Sequence, residues 1–161
     1  LISQSIPEVI NSAMFTGGAD AYLQFLTQQV LQQAEADLNG ILWRGLAGYS
    51  LAGLFTVYAL YKTDLFSRAA SMSGSLWYPG FKGFALQNTL CIAPQHLYFS
   101  LGDKEARARN QYLKTVQQCT EELAAHYHSL GINTCYELNP GGHYRDIIKR
   151  SAAGIKWLLI Q

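Results

Sequence analysis

Apolar residues recur at steps of three and four along residues 19–38, at Leu23, Leu26, Val30, Ala34 and Leu38, with Asp20 near the start and Gly40 just past the end. That spacing predicts an amphipathic helix. Residues 42–47 form a short apolar stretch reaching Gly48, which predicts a buried strand, and residues 51–61 are apolar almost all round, broken mainly by Thr56, which predicts a buried helix. Two further runs of strand length, 69–73 and 97–101, lead into flexible glycine-containing segments. Tyr112, Val116, Cys119, Leu123, Tyr127 and Leu130 again follow helical steps up to Gly131; residues 134–138 form another strand candidate, and Ile148, Ala152, Ile155 and Leu159 mark a C-terminal helix. Short apolar strands alternating with amphipathic helices imply an α/β fold, doubly wound, with a mainly parallel sheet and helices on both faces. Residues 1–18 and 77–94 are the poorly patterned parts.

Composition narrows the function classes. A chain of 161 residues is long enough for one core, so a single domain over 1–161 is expected. With 49% hydrophobic residues, only 14% charged and a formal net charge of +1, there is no basic stripe of the kind phosphate binding needs, and nucleic acid is not an expected partner. No apolar run reaches the roughly 18 residues of a membrane span, and the start of the chain lacks a signal-peptide pattern, although it begins at Leu1. Cys91, Cys119 and Cys135 are widely spaced, odd in number and form no C-x-x-C pair, which suggests neither a disulfide framework nor a zinc site. A cytoplasmic location is therefore expected, with the periplasm as the alternative. No metal or organic cofactor is expected.

The stretch RGLAGYSLAG, residues 44–53, places Ser50 at the join between a predicted strand and a predicted helix. In the motif G-x-S-x-G a sharp turn leaves room for little beyond a Cβ two residues before and after the nucleophile; Gly48 and Ala52 hold those places here. The same turn leaves the Leu51 N–H at a helix start, free for a developing oxyanion. The competing expectation for Ser50 is a helix N-cap.

A serine nucleophile needs a base within reach and a group that orients the base. In this architecture the chain order is serine, acid, histidine. After the strand 97–101 comes GDKEAR, offering Asp103 and Glu105, and after the strand 134–138 comes NPGGHYRD, placing His143 behind Gly141 and Gly142. His96 precedes its strand and belongs to the opposite edge; His126 and His128, two apart on a helix, face different ways and make a poor metal pair. The aromatic segment holding Trp77, Tyr78, Phe81 and Phe84 follows the strand next to Ser50 and offers an acyl or aryl pocket. Trp77, Tyr78 and Tyr49, beside the serine, are the expected substrate contacts.

GGADAYLQFL, RGLAGYSLAGLF, SMSGSLWYPG, LYFSLGDKEARARN and NPGGHYRD occur in an order and spacing that resemble the "putative esterase" family of α/β-hydrolases, which includes siderophore esterases, feruloyl esterases, S-formylglutathione hydrolases and mycolyl acyltransferases. The resemblance covers residues 19–161. It implies a serine esterase with Ser50 as nucleophile, His143 as base and Glu105 as acid, since the family's acid commonly stands three residues after a loop glycine, here Gly102. Asp103 is the alternative acid, and some siderophore esterases are said to use a serine–histidine dyad. The implied substrate is a small-molecule ester, with siderophore esters one candidate, cleaved through an acyl-enzyme. The rivals are acyl transfer on the same fold and a non-catalytic binding or scaffold role. Family members have several strands before the serine strand, and a loop there gives a second oxyanion donor. Only about forty residues precede that strand here. The serine strand is therefore expected near an exposed sheet edge, in an incompletely represented protein or in one whose edge is covered by residues 1–18 or by a second copy in a homodimer.

Overall fold

In the computed structural model, which describes residues 17–161, the elements follow the order α1 (Ala19–Phe25), α2 (Leu31–Glu35), β1 (Gly45–Tyr49), α3 (Leu51–Ala59), β2 (Arg68–Met72), α4 (Phe81–Gln87), β3 (His96–Gly102), α5 (Val116–Ser129), β4 (Asn133–Asn139) and α6 (Ile147–Leu159). The four strands form one parallel sheet in chain order. Each link between strands contains a helix, as a parallel pair requires, so the carboxyl ends of all four strands reach the same edge. One row of the register runs Tyr49, Met72, Ser100, Glu137 across the whole sheet just below that edge.

Helices cover both faces. Tyr127 of α5 stacks on Phe99 of β3 at 5.9 Å between ring centroids, on the same face as α3. On the opposite face α6 lies so close that a Cβ on Gly154 would come within 2.7 Å of Met72 Sδ and 2.9 Å of Tyr98 Cε1. Ala70, Met72, Tyr98 and Leu158 form the buried cluster there, with Tyr49, Cys135 and Trp157 packed on it. The apolar positions that mark α6 in the sequence are not the ones that face this cluster. Arg150, Gly154 and Leu158 are buried, whereas Ile148 is 86% exposed and Ile155 and Leu159 point outward with it.

Trp43–Gln161 form one compact unit, and the described helices before Trp43 belong to a separate one. In that first unit, α1 and α2 are joined by a π-helical turn, Leu26–Val30, so the expected helix over 19–38 forms as far as Glu35 with one wide turn in it. The expected buried strand over 42–47 is corrected in position and environment. The strand begins at Gly45, Leu42 is 92% exposed, and β1 pairs among the described residues with β2 alone. The apolar character of Trp43 serves a side contact instead, its ring lying 4.0 Å from the Arg68 guanidinium carbon. The poorly patterned stretch 77–94 contains α4, a helix of seven residues interrupted in pattern by Gly83. No helix among the described residues is long and apolar enough to cross a membrane. The expectations for residues 1–16 lie outside the described residues.

Candidate active site

Ser50 sits between β1 and α3 with φ 59° and ψ −119°, a backbone conformation that a residue with a Cβ adopts only under constraint. Its N–H donates to the Met72 carbonyl (3.0 Å), and its own carbonyl accepts from Leu54 N–H (3.1 Å) and Ser75 N–H (3.0 Å). These bonds to β2 and the loop after it hold the turn. A Cβ on Gly48 would stand 2.2 Å from the Ala52 carbonyl oxygen, which is why no larger residue fits there. Although Ser50 occupies the N-cap position of α3, its side chain makes no capping bond. Its Oγ lies instead 3.0 Å from His143 Nε2. Leu51 is the first residue of α3, so its N–H has no acceptor within the helix.

His143 comes from the loop after β4 and is half-buried. Its Nδ1 is 2.8 Å from Glu105 Oε2. An ionised carboxylate only accepts, so the ring proton sits on Nδ1 and Nε2 is left to accept from the Ser50 hydroxyl. The loops carrying acid and base are tied together directly: Asp103 Oδ1 accepts from Gly141 N–H (2.7 Å), and Lys104 N–H donates to the Gly141 carbonyl (3.0 Å). Asp103, the alternative acid of the sequence, thus has its carboxylate on the backbone of the histidine loop, and Glu105 is the carboxylate on His143.

The Glu105 side chain is almost wholly buried and collects four donors. Gly102 N–H (2.7 Å), Ser73 Oγ (2.7 Å) and Arg150 Nη2 (2.8 Å) reach Oε1, and His143 reaches Oε2. Burial by itself raises the pKa of this carboxyl, but the hydrogen bonds from His143, Arg150, Ser73 and Gly102 outweigh it and hold the pKa at about 2. Arg150 Nη2 also donates to Ser73 Oγ. The single Ser73 hydroxyl proton lies within reach of both Glu105 Oε1 and Tyr49 Oη (3.0 Å), and the carboxylate is the stronger acceptor.

Tyr49, an expected substrate contact, is tied to the histidine loop. Its hydroxyl donates to the His143 carbonyl (2.6 Å), its ring lies 5.5 Å from the His143 ring, and the Arg150 guanidinium carbon lies 5.5 Å from its centroid. Sequence reasoning missed Arg150 and Ser73. The one available signal was the spacing of Arg150, Gly154 and Leu158 along one helix face; the positive φ of Ser73 in SMSGS (46°) shows only in the folded chain. Trp77 and Tyr78 line a cavity of about 320 Å³ with Leu76, Pro79, Lys82 and Cys119, a wall to which neither Ser50 nor His143 contributes. His96 stands at the amino end of β3, its Nδ1 3.0 Å from Asn133 Nδ2 and its ring edge-on to Trp157, at the edge opposite Ser50. Among the described residues, no three His, Cys, Asp or Glu side chains gather as a metal site. A hydroxyl, an imidazole and a buried carboxylate in this order can move a proton off the hydroxyl as it attacks a carbonyl.

Comparison with known proteins agrees with the architecture. The "Uncharacterized protein YbbA" of Bacillus subtilis (strain 168) is 24% identical over 153 residues, which cover 89% of this chain and 61% of that protein. Among solved structures, the siderophore hydrolase EstA from Aspergillus nidulans superposes with a TM-score of 0.71 at 22% identity, over 96% of this chain and 61% of that one. An IroE-like serine hydrolase from Shewanella oneidensis superposes with a TM-score of 0.72 at 20% identity, over 88% and 48% respectively. The chain thus spans about six-tenths or less of the length of these relatives. These likenesses fix the fold as α/β-hydrolase-like. The family model described as "Putative esterase" matches residues 9–143, beginning ten residues before the start at 19 expected from the sequence and ending on His143. By that match the chain belongs to the putative esterase family.

Proposed function

We propose that this protein hydrolyses carboxylic esters through an acyl-enzyme on Ser50, with siderophore-type esters as its substrate class. The observation that carries the proposal is the unbroken line from Ser50 Oγ through His143 to Glu105, at 3.0 and 2.8 Å. As Ser50 Oγ attacks the ester carbonyl, His143 Nε2 takes its proton and Glu105 stabilises the imidazolium. The Leu51 N–H donates to the oxyanion, and His143 returns the proton to the departing alcohol. Water then attacks the acyl carbon while giving a proton to His143, and His143 passes that proton to Ser50 Oγ as the acyl–Oγ bond breaks and the acid leaves. Membership of an esterase family and structural likeness to siderophore and serine hydrolases support this choice of chemistry and substrate class.

Labelling with a fluorophosphonate tests it. The expected result is an adduct on Ser50 and turnover of p-nitrophenyl acetate that falls by roughly four orders of magnitude or more in Ser50→Ala. Absence of the adduct, or equal turnover in the variant, rejects the proposal. Adding competing alcohols and analysing products separates hydrolysis from acyl transfer, and preference for a siderophore ester over a feruloyl ester is the expected outcome on natural substrates.

A further inference from the structure

The carboxylate of Glu105 is used asymmetrically. Oε1 takes Gly102 N–H, Ser73 Oγ and Arg150 Nη2, while Oε2 is left to His143. Arg150 is the only charged group in that set of donors to Oε1, and it is 2% exposed. It reaches Glu105 from α6, and its Nη1 lies at the limit of hydrogen bonding (3.5 Å) from the Gly142 and Arg145 carbonyls, on either side of His143. Its Nε is buried without a partner. An incompletely satisfied buried guanidinium is a poor device for stability, because an apolar side chain of similar size packs there at lower cost. What the arginine supplies, and an apolar residue does not, is a fixed carboxylate.

We propose that Arg150 is a positioning residue of the reaction: it pins Oε1 of Glu105 so that Oε2 faces His143 Nδ1, and it braces the loop that carries His143. This rests on the assignment of Ser50 and His143 to ester hydrolysis. The groups facing Glu105 are His143 from the loop after β4, Arg150 from α6, Ser73 after β2, Gly102 N–H at the end of β3 and, through its field, Tyr136 of β4; Tyr49 of β1 adjoins Ser73. Arg150 is the cation among them at every working pH. Without it Glu105 loses one of its two charged or polar side-chain donors to Oε1 and its pKa rises from about 2.

The test compares Arg150→Met and Arg150→Lys with the wild type on p-nitrophenyl acetate, with thermal melting to follow folding. For Arg150→Met, kcat is expected to fall about ten- to a hundredfold with KM within about twofold, the cost of a misplaced base. The acid limb of kcat/KM should also move to higher pH, because a fixed positive charge beside the acid–base pair is gone. Arg150→Lys, which keeps the charge but loses the fork, should recover part of kcat. Unchanged kcat and an unchanged acid limb in Arg150→Met overturn the proposal, as does a loss that matches only the unfolded fraction. If Arg150→Met does not fold, Arg150→Lys decides by the same two readouts. A wild type that fluorophosphonate does not label at Ser50 defeats the esterase assignment itself, a separate result obtained before any Arg150 variant is made.

Discussion

Helices α5 and α6 lie on opposite faces of one sheet and bury different chemistry. α5 presents Val116, Cys119, Leu123 and Tyr127 inward, and the Tyr127 hydroxyl meets that of Tyr61 at 2.8 Å in the interior. Its outer face carries Gln117, Gln118, Glu121 and Glu122, bonded to one another at four-residue steps. α6 buries an arginine, a glycine and a leucine, and turns Ile148, Ile155 and Leu159 outward. One helix is held by packing. The other is shaped around a carboxylate two strands away from the serine strand, and the difference shows how a site can claim the centre of a helix face that packing alone would fill with apolar groups.

The contrast can be broken most forcefully from the α5 side. Leu123 is fully buried, so Leu123→Ala should cost about 2–5 kcal/mol of stability in urea titration, while kcat per folded molecule stays unchanged. A drop in kcat of the folded fraction would show that α5 too supports the site. Next in size is the acid response of Glu105, which His143, Arg150 of α6, Ser73 and Gly102 together hold ionised. The pKa of Glu105 is lowered from the ordinary 4.5 to about 2. A lowered carboxyl contributes stability that is complete above its unfolded pKa and is lost as pH falls through that value towards the folded one. The wild type should therefore lose on the order of 3 kcal/mol from this group between about pH 6 and about pH 2, and Glu105→Gln should lack that portion of the slope. Parallel slopes for the two proteins in chemical unfolding at several pH values would contradict the tie. The smallest effect is expected on the outer face of α6: Ile148→Lys should change stability by no more than about 0.5 kcal/mol and leave turnover intact. A large loss there would mean that the outward stripe is covered in solution.

The parts of the fold that were legible in the sequence are those where burial is simple. β2 is buried at every position and β3 at all but His96, so their apolar runs mark them within a residue or two. α5 is legible because its apolar steps and its buried face coincide. β1 was displaced because a strand that pairs on one side only among the described residues does not need an apolar sequence on both faces, and the apolar residues before it, Leu42 and Trp43, make other use of their surface. α4 escaped because seven residues around Gly83 give too few turns for a period to show. At the site, Ser50, Glu105 and His143 could be proposed from chain order and from the loops that follow strands, although choosing Glu105 over Asp103 leaned on family resemblance. Arg150 could not be proposed that way. A charged residue on a surface-patterned helix ordinarily reads as solvated, and its partner lies 45 positions earlier in the chain.

The Ser50–His143 hydrogen bond joins residues 93 positions apart and spans the sheet from β1 to the loop beyond β4. Closing so long a loop is slow compared with forming any one helix, because its entropy must be surrendered before the contacts that repay it are made. A helix such as α5 is built from contacts close in sequence and does not depend on that closure. If Ser50 works as proposed, turnover is a clock on the far end of folding, starting only when β1 and β4 have found their places in the same sheet.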